Sequence, residues 1–420
     1  MAPRRWAVAV VGGGPGGAAT ALALARRGVG EVVLFEATDD GADEGAAADA
    51  AAGPGARSPQ PIVGESIPPA ATPALRALGV LEAVDGGGHL PRPGSRSLWG
   101  GPEPGFNDFL FDPVGKGYHL DRRLFDAQLR RAARDAGVAV RGGTRVTALR
   151  RDEEGFELRT VGAASAEAVH RARFVVDASG ARAWVARRLG VARNVLDRLV
   201  SVCAFADVPP GAFACDHTLL EAAEHGWWYA ARLPGDRLIV SLTSDPATLR
   251  ERGLGALAPW RRAFEDTRLV RREVDPALLD GVETLVARAA PVSILSAVVG
   301  PGWLAVGDAG SAYDPLGSAG ITKALEHGVA AAGGIEARIE GGSGAASAEY
   351  QDRVFADFTA HVGLRRALYA SERRWAGSPF WSARLRSPAP GPPKSAATTR
   401  RRGPLSPASP PGAPGSPRAR

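Results

Sequence analysis

The chain has 420 residues, of which 45% are hydrophobic and 23% are charged, a size and balance typical of a large globular domain rather than a small module. Its formal net charge of +6 comes from residues 387–420, which contain six basic residues, ten prolines and no acidic residue. The rest of the chain is therefore neutral, which excludes a basic groove for nucleic acid, and we expect residues 387–420 to form a disordered, solvated tail.

The first 36 residues predict a βαβ unit. Residues 7–11 are uniformly apolar, as in a strand of a parallel sheet that is buried on both faces. Residues 18–27 are rich in Ala and Leu and predict a helix, and residues 31–36 predict the second strand.

Between the first strand and the helix lies the pattern G-x-G-x-x-G, formed by Gly12, Gly14 and Gly17. Its first glycine allows a tight turn, the second lets a pyrophosphate approach the backbone, and the third allows close packing of helix and strand. Glu36 follows Gly17 by 19 residues, a spacing typical of a carboxylate that bonds a ribose hydroxyl. We therefore predict a dinucleotide site that includes Gly12, Gly14, Pro15, Gly17 and Glu36.

The following segments continue an α/β pattern. Residues 39–60 contain no aliphatic side chain larger than Ala and predict a flexible surface insertion. Residues 120–136 predict a helix, and residues 174–177 predict another buried strand.

From about residue 194 to residue 291 the pattern changes to short β-like runs with turns between them. Residues 227–230 and 238–243 are examples, and we expect this layer to cover a cofactor and to shape a pocket. Trp227, Trp228 and Tyr229 are candidate pocket residues. At least one of the three must face the core, because successive side chains of a strand point to opposite faces, so the pocket and core roles both stay open.

A second cofactor element follows at residues 303–332. An apolar strand leads into Gly307-Asp308, and a helix is predicted over residues 321–332. An Asp at a strand end can bind the ribityl hydroxyls of a flavin, and the helix dipole would favour negative charge on the ring. A nicotinamide dehydrogenase does not need this element, so we predict FAD, with a plain strand–loop–helix connection as the alternative. The predicted contacts are Gly307, Asp308, Pro315, Gly317, Ser318, Gly320 and Ile321.

These elements predict an α/β fold with a discontinuous Rossmann-like FAD-binding domain. Its expected parts are residues 1–193 and 292–340, an inserted β-sheet-containing substrate layer at 194–291, a C-terminal helical segment at 341–386 and the tail at 387–420.

Several motifs together resemble the hydroxybenzoate-hydroxylase-type flavoproteins over roughly residues 6–335. They are the glycine turn at 12–17, Glu36, Asp121-Arg122-x-x-Phe125-Asp126, Asp177-Ala178-Ser179-Gly180 and Gly307-Asp308. The resemblance implies that Glu36 binds the adenosine ribose, that Arg122 lies near the ribityl-phosphate region, and that Asp308 contacts the ribityl chain. It also makes Asp177 a candidate cofactor residue.

Two further segments, residues 64–69 and residues 314–321, resemble the halogenase-like branch of this superfamily. That branch includes tryptophan halogenases and the flavoproteins that mature tryptophylquinone oxidases by hydroxylating a peptidyl Trp. Residues 374–381 resemble the maturase group. Glu65 is a candidate for holding a loop near the flavin, and local structural capping is the alternative.

The chain departs from the tryptophan halogenases at three places. It has no Lys between Glu65 and Trp99, the Trp-x-Trp-x-Ile-Pro box is replaced by a different order at residues 226–234, and Gly317 stands where those enzymes carry a catalytic Glu. An amine and an acid direct the oxidant in that chemistry. We therefore expect a monooxygenase that hydroxylates an electron-rich, tryptophan-like substrate through a flavin hydroperoxide. A halogenase, a prenyl-chain reductase and a flavin-binding partner protein without turnover are the alternatives.

The sequence identifies no catalytic residue. His119 and His225 lie near suspected pocket segments, but a single His is more often an ordinary polar contact. The substrate is expected to be a small molecule or a group held on a carrier or peptide, and the electrons to come from NAD(P)H or a separate flavin reductase.

Two cysteines are too few for a disulfide framework or a zinc site, and we predict no metal centre. The chain also has no apolar run near the ~20 residues of a membrane span. A reducing, cytoplasmic location is therefore expected.

Overall fold

The computed structural model describes residues 4–38, 62–162 and 165–386, which belong to one compact unit, Met1–Pro388. The predicted insertion at 39–60 and the predicted tail at 387–420 lie outside the described residues. Within these ranges, the helices are all too short or too polar to cross a membrane.

The chain forms both strands and helices in the order that the sequence predicts for an α/β fold. The strands are β1 (Arg4–Val11), β2 (Val32–Phe35), β3 (Ser66–Ile67), β4 (Leu90–Arg92), β5 (Gly94–Leu98), β6 (Gly105–Asp108), β7 (Gly117–His119), β8 (Ala139–Arg141), β9 (Arg145–Asp152), β10 (Gly155–Val161), β11 (Glu167–Asp177), β12 (Arg193–Asp207), β13 (Thr218–Ala223), β14 (Gly226–Leu233), β15 (Arg237–Ser244), β16 (Val286–Leu295), β17 (Val299–Gly300), β18 (Trp303–Ala305) and β19 (Ser311–Ala312). The α-helices are α1 (Pro15–Arg26), α2 (Thr72–Ala77), α3 (Leu81–Asp85), α4 (Arg122–Asp135), α5 (Trp184–Arg188), α6 (Pro246–Glu251), α7 (Leu257–Glu265), α8 (Leu269–Glu273), α9 (Gly320–Ile339), α10 (Ala345–Ser371) and α11 (Pro379–Arg386).

The first sheet is built around β1. It has the order β17-β18-β11-β1-β2-β8, and β1 pairs in parallel with β11 and β2. Helices α1 and α9 pack against each other, and a Cβ on Gly328 of α9 would lie 2.7 Å from the Cβ of Ala19. This close approach places the N-terminus of α9 near that of α1. The predicted βαβ unit and the return of the chain to this sheet at β18 are confirmed.

The second sheet has the order β19-β16-β12-β15-β14-β13-β5-β6. The predicted layer at 194–291 supplies most of β12 to β16, but the sheet is wider than predicted. Strands β5 and β6 come from earlier in the chain, and β5 pairs in parallel with β13. Residues 94–98 are mostly Gly, Ser and Arg and have no apolar alternation, so the sequence does not indicate that they extend this sheet.

Helices cover both faces of the second sheet. On one face, Trp228 packs with Trp260 and Phe264 of α7. On the other, Trp227 packs with Tyr369 and Trp381 of helices α10 and α11. The C-terminal helical segment therefore completes the core of the second sheet. A small third sheet, β3-β7-β4, holds residues 65–67 beside the first two sheets.

Candidate functional site

A cavity of about 580 Å³ lies where the first and second sheets meet. Its lining comes from the turn at 14–16, the segment at 62–66, Arg122, three of residues 178–181, strands β12, β14, β15 and β16, and parts of the segment 306–324. The two cofactor elements that are widely separated in the sequence therefore share one cavity.

The glycine turn shapes one end of this cavity. Gly12 has φ +109°, and a Cβ there would overlap the Ala178 carbonyl, while a Cβ on Gly17 would overlap the Gly12 carbonyl. In contrast, a Cβ on Gly14 would meet no atom within 4 Å. Helix α1 begins directly at Pro15, and no side chain caps its N-terminus. The missing side chains at Gly12 and Gly17 permit the turn to pack closely against residue 178 and against itself. The missing side chain at Gly14 leaves the backbone N–H groups open to an anion such as a diphosphate.

Glu36 supports this turn from outside the cavity. Its carboxylate accepts hydrogen bonds from the backbone N–H of Gly13 at 2.6 Å and of Thr38 at 2.8 Å. Glu36 does not line the cavity, and its contact with a ribose stays a prediction.

Asp177, which the sequence predicts as a cofactor contact, does not line the cavity. It is fully buried, and its carboxylate accepts hydrogen bonds from the backbone N–H groups of Ser179 and Ala186 and from the Ser179 hydroxyl. Residues 178–181 follow it, and three of these four residues line the cavity. Asp177 therefore positions cavity residues instead of lining the cavity itself.

The second cofactor element lines the cavity next to the glycine turn, where a Cβ on Gly16 would lie 3.6 Å from the Cα of Gly307. Gly307 and Asp308 follow β18 and line the cavity, and the half-exposed Asp308 carboxylate accepts a hydrogen bond from Lys323 Nζ at 2.6 Å. Pro315, Ser318, Gly320 and Ile321 also line it, whereas Gly317 does not.

Ser318 has φ +50°, in the left-handed region, and directs the chain from the turn Pro315–Gly317 into α9. No side chain caps the N-terminus of α9. Two uncapped helix ends, those of α1 and α9, thus adjoin one cavity. This arrangement suits a flavin dinucleotide, which carries negative charge on its diphosphate and on its reduced ring.

Arg122 and Glu65 form a polar corner of the cavity. The Arg122 guanidinium donates to the carbonyls of Val63 and Gly64 and to the carboxylate of Asp126. It therefore holds the 62–66 segment in place.

Glu65 is only 3% exposed, and its Oε1 has no hydrogen-bond partner among the described residues. Loss of water around the carboxyl raises the pKa of Glu65 from its ordinary value of 4.5 to about 7, although the nearby Arg122 and Arg237 oppose this shift. Glu65 is therefore a cavity-lining group that exchanges a proton near neutral pH.

Two of the three aromatic candidates face the cavity. Trp227 and Tyr229 line it, together with Ser201, Ser241 and Thr243 of the neighbouring strands. The Tyr229 hydroxyl lies 2.8 Å from Ser66 Oγ. Trp228 points to the other face of the sheet, as alternation along a strand requires. The prediction of a pocket role for Trp228 is wrong, because its ring packs 5.0 Å from that of Trp260, between ring centroids.

Asp314 is a further cavity residue. It is 1% exposed, and its Oδ2 accepts hydrogen bonds from Arg365 Nε at 2.7 Å and from the Tyr369 hydroxyl at 3.0 Å. Both partners come from α10, more than fifty residues later in the chain, and no local motif marks them.

Neither His candidate lies in the cavity lining. His119 is buried, and desolvation lowers its pKa to about 3, so it is neutral and pairs with Thr218 at 3.0 Å. His225 lies on the turn before β14, 3.8 Å from Glu224.

Both lysines of the described residues form ion pairs. Lys116 pairs with Asp85 at the surface, and the buried Lys323 pairs with Asp308. Neither of them lines the cavity.

Comparisons with known proteins agree with this geometry. The family model for tryptophan halogenase matches residues 107–237. LodB of Marinomonas mediterranea, whose name assigns it to the FAD-dependent oxidoreductases, is 28% identical over 89% of this chain and 95% of its own length.

Two solved structures extend the comparison. The myxobacterial chondrochloren halogenase CndH superposes with a TM-score of 0.76 at 24% identity, covering 91% of this chain and 86% of its own, and this likeness concerns the fold alone. The peptidyl tryptophan dihydroxylase QhpG, described as essential for tryptophylquinone cofactor biogenesis, has a TM-score of 0.69 and 27% identity, covering 91% of this chain and 79% of its own.

Proposed function

We propose that this chain, which is an FAD-dependent oxidoreductase of the halogenase-like branch, hydroxylates an electron-rich aromatic substrate such as a tryptophan side chain. The wall of the cavity carries this proposal. It presents the indole of Trp227 and the phenol of Tyr229 beside small hydroxyl side chains, and it contains no lysine from the described residues. Such a wall suits the binding of a planar ring.

The residues at the two helix ends fit FAD. The open backbone at Gly14 suits the diphosphate, the N-terminus of α9 suits the ring, and Asp308 lies between these ends with a carboxylate half exposed to the cavity. When bound, FAD supplies the reaction of its reduced ring with O₂. The chain itself excludes water from the cavity and orients the substrate.

Glu65 is the group we assign to proton transfer. Hydroxylation of an aromatic ring releases a proton from the ring carbon that gains the oxygen. An acceptor works best when its pKa is near the working pH, and the buried Glu65 carboxyl meets this condition. Its Oε1 is buried and has no hydrogen-bond partner among the described residues.

Halogenation is the second candidate, and the tryptophan halogenase family model favours it. The lining of the cavity favours hydroxylation instead. The directing amine of the tryptophan halogenases has no counterpart there, because Lys323 is tied to Asp308 and Lys116 lies at the surface.

One reaction separates the two candidates. The holoprotein is supplied with reduced flavin, from NAD(P)H directly or from a separate flavin reductase, and with heavy-isotope O₂, chloride and bromide. Tryptophan, simple indoles and tryptophan-containing peptides are offered as substrates. We expect products that carry heavy oxygen and no halogen. Halogenated products, or reduced flavin consumed without any oxygenated product, would refute the proposal.

The setting of the reaction follows from the same residues. Cys203 and Cys215 are both free thiols, which persist in a reducing compartment, and we place the reaction in the cytoplasm. The substrate is either a small molecule or a residue held on a peptide or carrier protein, and the peptide series above distinguishes these cases.

A further inference from the structure

An unusual share of the aromatic side chains lies between the cavity and the protein surface. Four of the nine tryptophans, together with Tyr369, form a continuous group on helices α10 and α11 and the neighbouring strands. It begins at Trp227, which lines the cavity and is 2% exposed. The indole Nε1 of Trp227 donates a hydrogen bond to the Tyr369 hydroxyl at 3.0 Å.

The group continues outward from Tyr369 in short steps. The ring centroid of Tyr369 lies 5.6 Å from that of Trp381 and 6.0 Å from that of Trp99. Trp381 lies 5.3 Å from Trp99 and stacks 6.4 Å from Trp375. Tyr369 and Trp381 are almost fully buried, whereas Trp99 and Trp375 are partly exposed at the outer end. The rings therefore connect the cavity to solvent through the 3.0 Å hydrogen bond from Trp227 to Tyr369 and, beyond Tyr369, through steps of at most 6.4 Å between centroids.

Tyr369 is placed to release a proton when it is oxidised. Its hydroxyl accepts the hydrogen bond from Trp227 and donates one to Asp314 Oδ2 at 3.0 Å. Oxidation of a phenol requires loss of its proton, and the Asp314 carboxylate lies at the correct position to take it. Arg365, bound to the same oxygen at 2.7 Å, holds this carboxylate in place.

We propose that Trp227, Tyr369, Trp381, Trp99 and Trp375 form an electron-transfer route that carries an oxidising equivalent from the cavity to the protein surface. The source of the oxidant rests on the proposed function: reduced flavin that meets O₂ without a substrate to hydroxylate leaves a reactive oxygen species in the cavity. The route protects the site by moving this oxidation to a place where a soluble reductant can reach it.

Each step moves one electron. The oxygen-derived oxidant takes an electron from Trp227, and Tyr369 replaces it while passing its proton to Asp314. Trp381 then gives an electron to Tyr369, which recovers its proton from Asp314. Trp99 or Trp375 reduces Trp381, and a soluble thiol supplies the last electron at the surface, releases its proton to water and becomes a thiyl radical, two of which combine to a disulfide. One thiol electron is consumed for each oxidising equivalent removed.

Light provides a test that needs no hydroxylation. Blue light absorbed by FAD in the holoprotein drives oxidation of a nearby Trp, and transient absorption detects the resulting Trp and Tyr radicals. In the wild type we expect a long-lived Trp radical whose decay is accelerated by added thiol. In the double variant Trp99→Phe/Trp375→Phe, which removes both partly exposed tryptophans at the outer end, the radical should return quickly and become insensitive to thiol.

Trp260→Phe is the matched control. Trp260 is as buried as Trp381 and packs on the same sheet, but on the face away from the route. It should behave as the wild type does. Trp381→Phe alone should keep part of the thiol effect, because Trp99 still lies 6.0 Å from Tyr369 between ring centroids. A wild-type radical that ignores thiol, or equal radical lifetimes in wild type and Trp99→Phe/Trp375→Phe, would overturn the proposal.

A second measurement follows the protection itself. With reduced flavin and O₂ but no substrate, Trp99→Phe/Trp375→Phe should lose activity severalfold faster than the wild type and Trp260→Phe, although its initial rate is unchanged. Equal rates of inactivation would show that the rings serve packing alone. Because the light experiment does not involve hydroxylation, a failure of the proposed function leaves its result interpretable.

Discussion

Replacement of Glu65 by Gln tests the electrostatic account of the cavity. Burial disfavours the charged carboxylate and raises the pKa of Glu65 in the folded chain from its ordinary value of 4.5 to about 7. A group whose pKa is higher in the folded chain than in the unfolded chain makes its full contribution to stability at pH values below the unfolded-state pKa. This contribution is lost as the pH rises through the folded-state pKa. From these two values, the wild type should lose about 2.5 kcal/mol of unfolding free energy between pH 5 and pH 8 through this one group.

The assay is urea unfolding of the FAD-free chain at pH 5, 6, 7 and 8, with wild type and Glu65→Gln measured in parallel. Gln does not titrate, so the free energy of the variant relative to the wild type should rise by about 2.5 kcal/mol across this range. Arg122→Met gives a directional companion, because Arg122 lowers the pKa of Glu65, and its removal should move the transition to higher pH. Identical pH dependence in the wild type and Glu65→Gln would refute the assignment of Glu65 as a buried acid that titrates near neutral pH.

Four other substitutions test three separate parts of the structure. Gly17→Ala should lower the melting temperature and abolish FAD binding, because its methyl group overlaps the preceding turn. Gly14→Ala should fold normally and weaken only the binding of FAD, because its methyl group enters open space. Thermal unfolding and FAD titration of both variants measure these effects. Trp228→Ala should cost about 3–5 kcal/mol of stability in urea unfolding, because its ring fills the core against α7. Arg365→Met should cost a similar ~3–5 kcal/mol, because it leaves the buried carboxylate of Asp314 without its cation, and a loss below 1 kcal/mol would contradict this assignment.

The parts of the fold that the sequence predicts well are those governed by local rules. The spacing of Gly12, Gly14 and Gly17 after an apolar strand predicts the turn, because only glycine fits at positions 12 and 17, where the chain approaches itself closely. The segment from Gly307 to Ile321 is also predicted by local rules, because a strand end, a turn and a helix start follow one another in the chain.

What the sequence does not predict depends on contacts between distant segments. Strand β5 joins the second sheet through pairing with β13, which lies more than a hundred residues later. The bonds of Arg365 and Tyr369 to Asp314 likewise form only when α10 packs against the cavity. The direction in which Trp228 points depends on the register of β14, and a run of three aromatic residues leaves that register open.

The account depends most on the claim that the glycine turn and the start of α9 line one FAD cavity. Titration of the FAD-free chain with FAD, followed by the absorbance of bound flavin and by quenching of tryptophan fluorescence from Trp227, tests this claim directly. We expect saturation at one FAD per chain, and weaker binding in Gly14→Ala without loss of folding. A folded chain that takes up no FAD, or that binds it equally well in Gly14→Ala, would contradict the claim.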